Sequence, residues 1–143
     1  MRRTYVDEVF EYYDTKENDV CCPVVGDFLP RLLVVDDESS IRNLYRRVFS
    51  PRGFDVLTAS NAVEAREILI RERIDIIFLD INMAEIEGDI LYEIIRAFHP
   101  ELKVVVASVY PLEEQKERIM NADAYFDKSD SQDVLLQIVS NLM

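Results

Sequence analysis

The sequence predicts a doubly wound α/β fold, in which a five-stranded parallel sheet of order 2-1-3-4-5 carries helices on both faces. Three observations support this prediction. From Arg31 onward, short aliphatic runs alternate five times with longer segments of helical periodicity. The first and third runs are almost wholly apolar, as is typical of central strands that are covered on both sides. Proline, glycine or asparagine residues separate the segments from one another.

The strands are predicted from short runs that are rich in aliphatic and β-branched residues. In chain order these runs are Leu32–Val35, Phe54–Thr58, Ile74–Leu79, Val104–Ala107 and Ala124–Phe126. Since a helical segment follows each run, the connections favour parallel strands with crossover helices.

The helices are predicted from apolar residues that recur at i, i+3, i+4 and i+7. The first contains Ile41, Leu44, Tyr45 and Val48; the second Ala62, Ala65, Ile68 and Leu69; the third Ile90, Leu91, Ile94, Ile95 and Phe98; the last Val134, Leu135, Ile138, Val139 and Leu142. The segment from Leu112 to Met120 is helical by composition but poor in apolar residues. Asn61 is expected to cap the second helix, and Pro100 to end the third.

Residues 1–30 differ from residues 31–143, which we interpret as the globular domain. This extension is acidic and aromatic, and Val6, Val9, Phe10 and Tyr13 have the spacing of a short amphipathic helix. The net charge of −12 argues against direct binding to nucleic acid or to an anionic membrane. No apolar run approaches the length of a membrane span or a secretory signal, so we expect a cytoplasmic protein.

Polar residues follow four of the five predicted strands. They are Asp36, Asp37 and Glu38 after the first strand, Asp80 after the third, Ser108 after the fourth and Lys128 after the fifth. In an open doubly wound sheet, ligands bind outside the carboxyl ends of the strands, where the strand order reverses. An Asp pair after one strand is more often a loop or a helix cap, but the joint placement of these groups favours a binding site.

The residue types at this edge suit the chemistry of phosphoryl groups. Asp36, Asp37 and Asp80 would repel one another, and a hard divalent cation such as Mg²⁺ relieves that repulsion. Lys128 adds a compact positive charge that can pair with a phosphate, and Ser108 adds a small donor. A carboxylate that lies near both a metal and a lysine can serve as a phosphoryl acceptor.

Four motifs lie between about Arg31 and Met143. They are the strand Leu33–Glu38 that ends in an acidic pair, the segment Phe78–Met83 followed by Gly88, the strand Val106–Ser108 that ends in a hydroxyl, and the aromatic and lysine segment Ala122–Lys128. Together they resemble the motifs of the receiver domains of bacterial response regulators, whose fold is flavodoxin-like, and Phe78–Met83 resembles the phosphoacceptor segment of that family.

The resemblance implies a role for each carboxylate. Asp80 would take a phosphoryl group from a phosphohistidine on a sensor histidine kinase or a histidine phosphotransfer protein. Asp37, Asp80 and the backbone carbonyl of Asn82 would bind Mg²⁺, with Asp36 acting partly through water. A receiver catalyses its own phosphorylation and dephosphorylation, so the resemblance implies a signalling domain of a phosphorelay and not a turnover enzyme.

The resemblance also implies a switch. Lys128 and Ser108 would contact the phosphoryl oxygens, Ser108 would move toward the phosphate, and Tyr125 would swing inward. The face formed by the fourth helix, fifth strand and fifth helix would then change its preference for a downstream protein or for a second copy of the chain.

Two residues depart from the family pattern beside the expected site. Ser129 follows Lys128 where proline is usual, and a cis peptide there would cost about 3 kcal/mol, so we expect a trans peptide. Val109 follows Ser108 where a smaller residue is typical, and its bulk is expected to narrow the access to Asp80.

Two further functions compete with phosphorylation signalling. The departures at Val109 and Ser129, together with the extension, are compatible with a pseudo-receiver that binds proteins independently of phosphorylation. A metal-dependent phosphohydrolase with Asp80 as its nucleophile is disfavoured, because such enzymes usually place a second acid at the position of Asn82.

Overall fold

The fold is known from a computed structural model, which describes residues 29–82 and 88–143. The strands are β1 (Arg31–Val35), β2 (Asp55–Ala59), β3 (Ile76–Leu79), β4 (Lys103–Ser108) and β5 (Ala124–Asp127). The helices are α1 (Ser39–Phe49), α2 (Ala62–Arg71), α3 (Gly88–Phe98), α4 (Leu112–Arg118) and α5 (Gln132–Leu142). A 3₁₀ turn, Ser50–Arg52, follows α1.

The five strands form one parallel sheet of order β2-β1-β3-β4-β5, as the sequence predicts. Val35 of β1 pairs with Leu79 of β3, and Leu79 pairs with Val106 of β4. The carboxyl ends of β1, β3 and β4 therefore lie side by side at one edge of the sheet. The order reverses between β1 and β3, which is where ligands bind in sheets of this kind.

Alternate strand residues point to opposite faces and build two apolar cores. Leu33 and Ile77 face α2 and α3, whereas Leu32, Ile76 and Phe78 face α1 and α5. All five side chains are at most 1% exposed. Since both faces of the central strands are covered, their uninterrupted apolar runs are explained.

The expected helix boundaries are largely confirmed. Asn61 caps α2, because its side chain accepts a hydrogen bond of 2.9 Å from the amide of Glu64. Gly53 closes the turn after α1 with a positive φ of 90°, a conformation that strains other residues. The segment expected to be helical as far as Met120 ends instead at Arg118, because Ile119 is extended and its side chain is buried.

The short helix expected around Val6–Tyr13 lies outside the described residues, so it stays a prediction, as does the domain boundary at residue 31. Across the described ranges, no helix has the length and apolar character that crossing a bilayer requires.

Candidate functional site

Backbone hydrogen bonds that continue past the strand ends hold two of the predicted acids in place. The amide of Asp36 donates to the carbonyl of Ala59 on β2, at 3.1 Å. The amide of Asp80 donates to the carbonyl of Val35 on β1, also at 3.1 Å. The sheet ladder thus extends one residue beyond β1 and β3, and it fixes the backbone from which each carboxylate projects.

The three acids that the sequence singles out form one cluster. Carboxylate oxygens of Asp36, Asp37 and Asp80 lie within 4.8 Å of one another. Asp36 and Asp80 are buried, with 3% and 5% of their surface exposed, whereas Asp37 is exposed. Clustered oxygen ligands of this kind, with one side open to water, fit a hard cation that retains part of its hydration shell.

Lys128 reaches this cluster from the loop after β5. Its Nζ lies 2.5 Å from Oδ2 of Asp36 and 3.3 Å from Oδ2 of Asp80. Burial by itself lowers the pKa of a lysine. Here the hydrogen bond to Asp36 and the attraction of both carboxylates outweigh burial, and the pKa of Lys128 is raised above its ordinary value. The lysine therefore stays charged at neutral pH.

Asp80 is the member of the cluster that follows β3. Its Oδ1 accepts a hydrogen bond of 3.0 Å from the amide of Asn82, while Oδ2 faces Lys128. Burial raises the pKa of Asp80 above its ordinary value, and the charge of Asp36 adds to this effect, although Asn82 and Lys128 oppose it. A carboxylate that is poorly solvated and held by few donors is a better nucleophile than one in bulk water.

Ser108 ends β4 and is fully buried. Its Oγ accepts a hydrogen bond of 3.2 Å from the amide of Tyr110, and its carbonyl accepts one of 2.9 Å from the amide of Lys128. The backbone of Ser108 therefore anchors the loop that carries the lysine. This link joins the hydroxyl that the sequence singles out to the charged end of the site.

Tyr125 is half-buried on β5, beside the end of α4. Its hydroxyl donates to the carbonyl of Ile119 at 2.5 Å and accepts from the amide of Ala122 at 3.2 Å. The ammonium of Lys116 lies 5.7 Å from the centre of the ring. These contacts hold the ring toward the α4–β5 connection.

Ser129 and Val109 flank the site. The peptide after Lys128 is trans, as serine at position 129 predicts. The amide and hydroxyl of Ser129 both donate to Oδ1 of Asp127, at 2.9 and 2.7 Å, so the loop is closed by side-chain hydrogen bonds. Val109 is 64% exposed. Whether it narrows the access to Asp80 stays a prediction.

Two supporting residues were missed by the sequence reasoning. Gln115, on the inner face of α4, is fully buried and donates to the carbonyls of Tyr110 and Phe126 at 2.8 and 3.0 Å. Gln115 takes the inward position of α4. The small number of apolar residues in this segment was the one sign in the sequence that a polar side chain faces inward. Arg42 donates to the carbonyl of Asp36 at 2.8 Å, and nothing in the helical pattern indicated that contact.

A model of the response regulator receiver domain family matches residues 32–140, well over half of the chain. The chain belongs to this family. The receiver domain is 35% identical over 108 residues to the alginate biosynthesis transcriptional regulatory protein AlgB of Pseudomonas aeruginosa. The match covers 73% of this chain and 24% of AlgB. It is 28% identical over 80 residues, 56% of its length, to the sporulation initiation phosphotransferase F of Bacillus subtilis, of which it covers 64%. The chain thus spans less than two thirds of these relatives.

A solved structure agrees with the family assignment. The response regulator protein TrrA of Thermotoga maritima, crystallised with Mg²⁺ and a beryllium fluoride, is 31% identical and superposes with a TM-score of 0.74. The match covers 80% of this chain and all of that one. The receiver domain therefore has the flavodoxin-like fold and is a two-component signalling domain. The pseudo-receiver alternative is not favoured over this interpretation.

Proposed function

We propose that this receiver domain accepts a phosphoryl group on Asp80 and signals through protein contacts. The observation that carries the proposal is the contact of one buried lysine, Lys128, with both Asp36 and Asp80 at the ends of separate strands. Burying these charges together costs free energy, and stability alone is weakly served by such clusters. A site that must hold a doubly charged group explains why the charges are gathered.

The donor set fits Mg²⁺. Asp37, Asp80 and the backbone carbonyl of Asn82 would hold the ion, with Asp36 acting partly through water. When bound, it would neutralise the charge that develops on the phosphoryl oxygens. Asp36 is hydrogen-bonded to the amide of Glu38 as well as to Lys128, and this is compatible with its more distant role.

Transfer requires little from the protein beyond position and charge. A carboxylate oxygen of Asp80 attacks the phosphorus of a phosphohistidine, the P–N bond breaks, and its electron pair returns to the imidazole, which takes up a proton. The Lys128 ammonium would move from Asp36 and Asp80 to the phosphoryl oxygens, and the Ser108 hydroxyl would donate to another of them. The donor would be a sensor histidine kinase or a histidine phosphotransfer protein.

Output would pass through Ser108 and Tyr125. If the Ser108 hydroxyl turns to the phosphate, its contact with the amide of Tyr110 is lost and the β4–α4 loop shifts. For Tyr125 to swing inward, its hydroxyl must leave Ile119 and Ala122. The changed α4–β5–α5 face would select a downstream protein or a second copy. The whole chain carries a net charge of −12, so we expect it not to bind nucleic acid or anionic membranes directly. We expect it to act in the cytoplasm.

Intact-mass measurement tests the proposal. The full chain is incubated with Mg²⁺ and acetyl phosphate or phosphoramidate. We expect the mass of one phosphoryl group on the wild type and on the Asp133→Asn control, and none on Asp80→Asn or without Mg²⁺. An unmodified wild type, under conditions that label a known receiver, would refute the proposal and revive the pseudo-receiver. Equal labelling of Asp80→Asn would place the acceptor elsewhere.

A further inference from the structure

An apolar groove lies between α2 and α3. Its volume is about 570 Å³, and its lining includes Arg66, Leu69, Ile70, Ile94, Phe98 and His99. Ile70 and Phe98 are 63% and 74% exposed. Large exposed side chains at adjoining positions of two helices form the kind of patch that usually contacts another protein segment.

The groove is distinct from the site at the carboxyl ends of the strands. None of its lining residues takes part in the acid cluster or in the contacts of Lys128. None of its lining residues belongs to α4, β5 or α5. A function for the groove therefore has to be argued separately from phosphorylation.

The position at which the chain enters the fold favours an occupant from the chain itself. The guanidinium of Arg31, at the start of β1, forms an ion pair of 2.7 Å with Glu72, just after α2. Glu72 lines a second depression, which shares Leu69 and His99 with the α2–α3 groove. The described chain therefore starts close to the end of α2 that adjoins the groove.

The chemistry of the extension complements that of the groove. The extension carries an apolar stripe of Val6, Val9, Phe10 and Tyr13, and the stretch from Thr4 to Asp14 contains four acidic and no basic residues. Of the described residues that line the groove none is acidic, and one, Arg66, is basic. An acidic amphipathic helix with its apolar side against the groove would cover Ile70 and Phe98 and bring carboxylates close to Arg66.

The lengths also agree. An extended chain of the size between Tyr13 and Leu29 spans up to roughly 50 Å, which is several times the length of either helix. A tether of this kind gives the segment a local concentration of the order of millimolar at the groove. Intramolecular docking is then favoured over the binding of a separate molecule at micromolar concentration.

We propose that residues 5–13 bind as an amphipathic helix in the α2–α3 groove of the same chain. The stripe of Val6, Val9, Phe10 and Tyr13 packs on Ile70, Ile94 and Phe98, while the acidic side faces Arg66 and the solvent. This intramolecular contact would shield the apolar surface of α3.

Hydrogen–deuterium exchange of the full chain tests the proposal at two protein concentrations tenfold apart. Phe98→Glu disrupts the groove, and Ala97→Glu is its matched control, since Ala97 is exposed on the same helix but does not line the groove. Phe10→Asp disrupts the segment, and Asn18→Asp adds the same charge outside the apolar stripe. Because Phe10 precedes the described domain, its substitution gives a result even if a groove variant unfolds.

We expect amides of residues 5–13 to exchange at least about tenfold more slowly in the wild type than in Phe98→Glu or Phe10→Asp, a difference of about 1.4 kcal/mol. The two controls should exchange like the wild type, and the result should not depend on protein concentration. Protection that increases with concentration, with the mass of a dimer in light scattering, would overturn the proposal in favour of a second copy. Equal exchange in all variants would overturn it, because the segment would then gain no protection from the groove. Phosphorylation of Asp80 is measured independently, so each proposal can fail alone.

Discussion

The ammonium of Lys128 lies between two buried carboxylates, 2.5 Å from Oδ2 of Asp36 and 3.3 Å from Oδ2 of Asp80. Without a divalent ion, the lysine is the cation that compensates for part of the acidic charge. The domain therefore contains an internal competitor for the metal that we propose. Its removal should change metal affinity and phosphorylation in opposite directions.

Lys128→Met is expected to bind Mg²⁺ more tightly than the wild type, by at least roughly threefold, because it removes a positive charge a few ångströms from the site. The same variant should lose most of its labelling by acetyl phosphate. Calorimetric titration measures the affinity for Mg²⁺. Lys103→Met is the control, because Lys103 begins β4 and lies at the opposite end of that strand from Ser108 and the site. Weaker Mg²⁺ binding by Lys128→Met would mean that the lysine organises the acids more than it repels the ion.

Gln115→Ala is expected to lower the free energy of unfolding by about 2 kcal/mol. The substitution leaves the carbonyls of Tyr110 and Phe126 without their buried donor and opens a cavity under α4. Urea unfolding followed by circular dichroism measures the change. Gln137→Ala, at an exposed position of α5, should change stability by less than about 0.5 kcal/mol. Equal effects at the two positions would contradict a structural role for Gln115.

Tyr45→Phe is expected to raise the free energy of unfolding by about 1 kcal/mol. The Tyr45 hydroxyl is buried and has no hydrogen-bond partner within the described part of the chain, whereas its ring packs edge-on against Phe78 with centroids 4.9 Å apart. Phenylalanine keeps the ring contact and removes an unpaired polar group.

Tyr92→Phe is the matched comparison for Tyr45→Phe, since the Tyr92 hydroxyl donates to the carbonyl of Asn121 at 2.8 Å and accepts from Nε of Arg96 at 3.0 Å. It should lower stability by about 1 kcal/mol. Thermal unfolding of the two variants shows whether each substitution raises or lowers the stability of the fold. A loss of stability in Tyr45→Phe would indicate a hydrogen bond to the Tyr45 hydroxyl in solution.

The fold could be predicted from the sequence because local and long-range signals agree. The apolar runs of β1 and β3 indicate strands that are covered on both faces, and the helical spacing between them requires crossover connections. The meeting of Asp36 and Asp80 then follows from topology, because the carboxyl ends of neighbouring parallel strands share an edge.

The burial of Gln115, the end of α4 and the pairing of Arg96 with Asp123 depend on side-chain directions, which cannot be predicted from the periodicity of apolar residues. Gln115 is polar and lies on a short helix, so its burial follows only from the loops that pack around it. α4 ends before Ile119, which is extended and has its side chain in the core. The pairing of Arg96 with Asp123 joins two segments that are distant in sequence, and no local sequence pattern predicts it.

Asp123 is held by the amide of Val104 and by Nη2 of Arg96, both at 2.8 Å from its Oδ2. Burial alone would raise the pKa of Asp123, but these hydrogen bonds and the charge of Arg96 lower it below its ordinary value. A carboxyl with a lowered pKa in the folded state stabilises the fold above its unfolded-state pKa, which is roughly 4. That contribution is lost as the pH falls through the folded-state value.

Asp123→Asn should therefore be less stable than the wild type at pH 7, by about 1–2 kcal/mol, because the charge-assisted hydrogen bond to Arg96 becomes a neutral one. The difference should begin to shrink as the pH falls below roughly 4, where the carboxyl of the unfolded chain starts to protonate, and should disappear as the pH falls through the lower folded-state pKa of Asp123. Urea unfolding from pH 7 down to acid measures it, with the exposed Asp133→Asn as the control. A difference that stays constant over this range would mean that Asp123 acts through its shape and not through its charge.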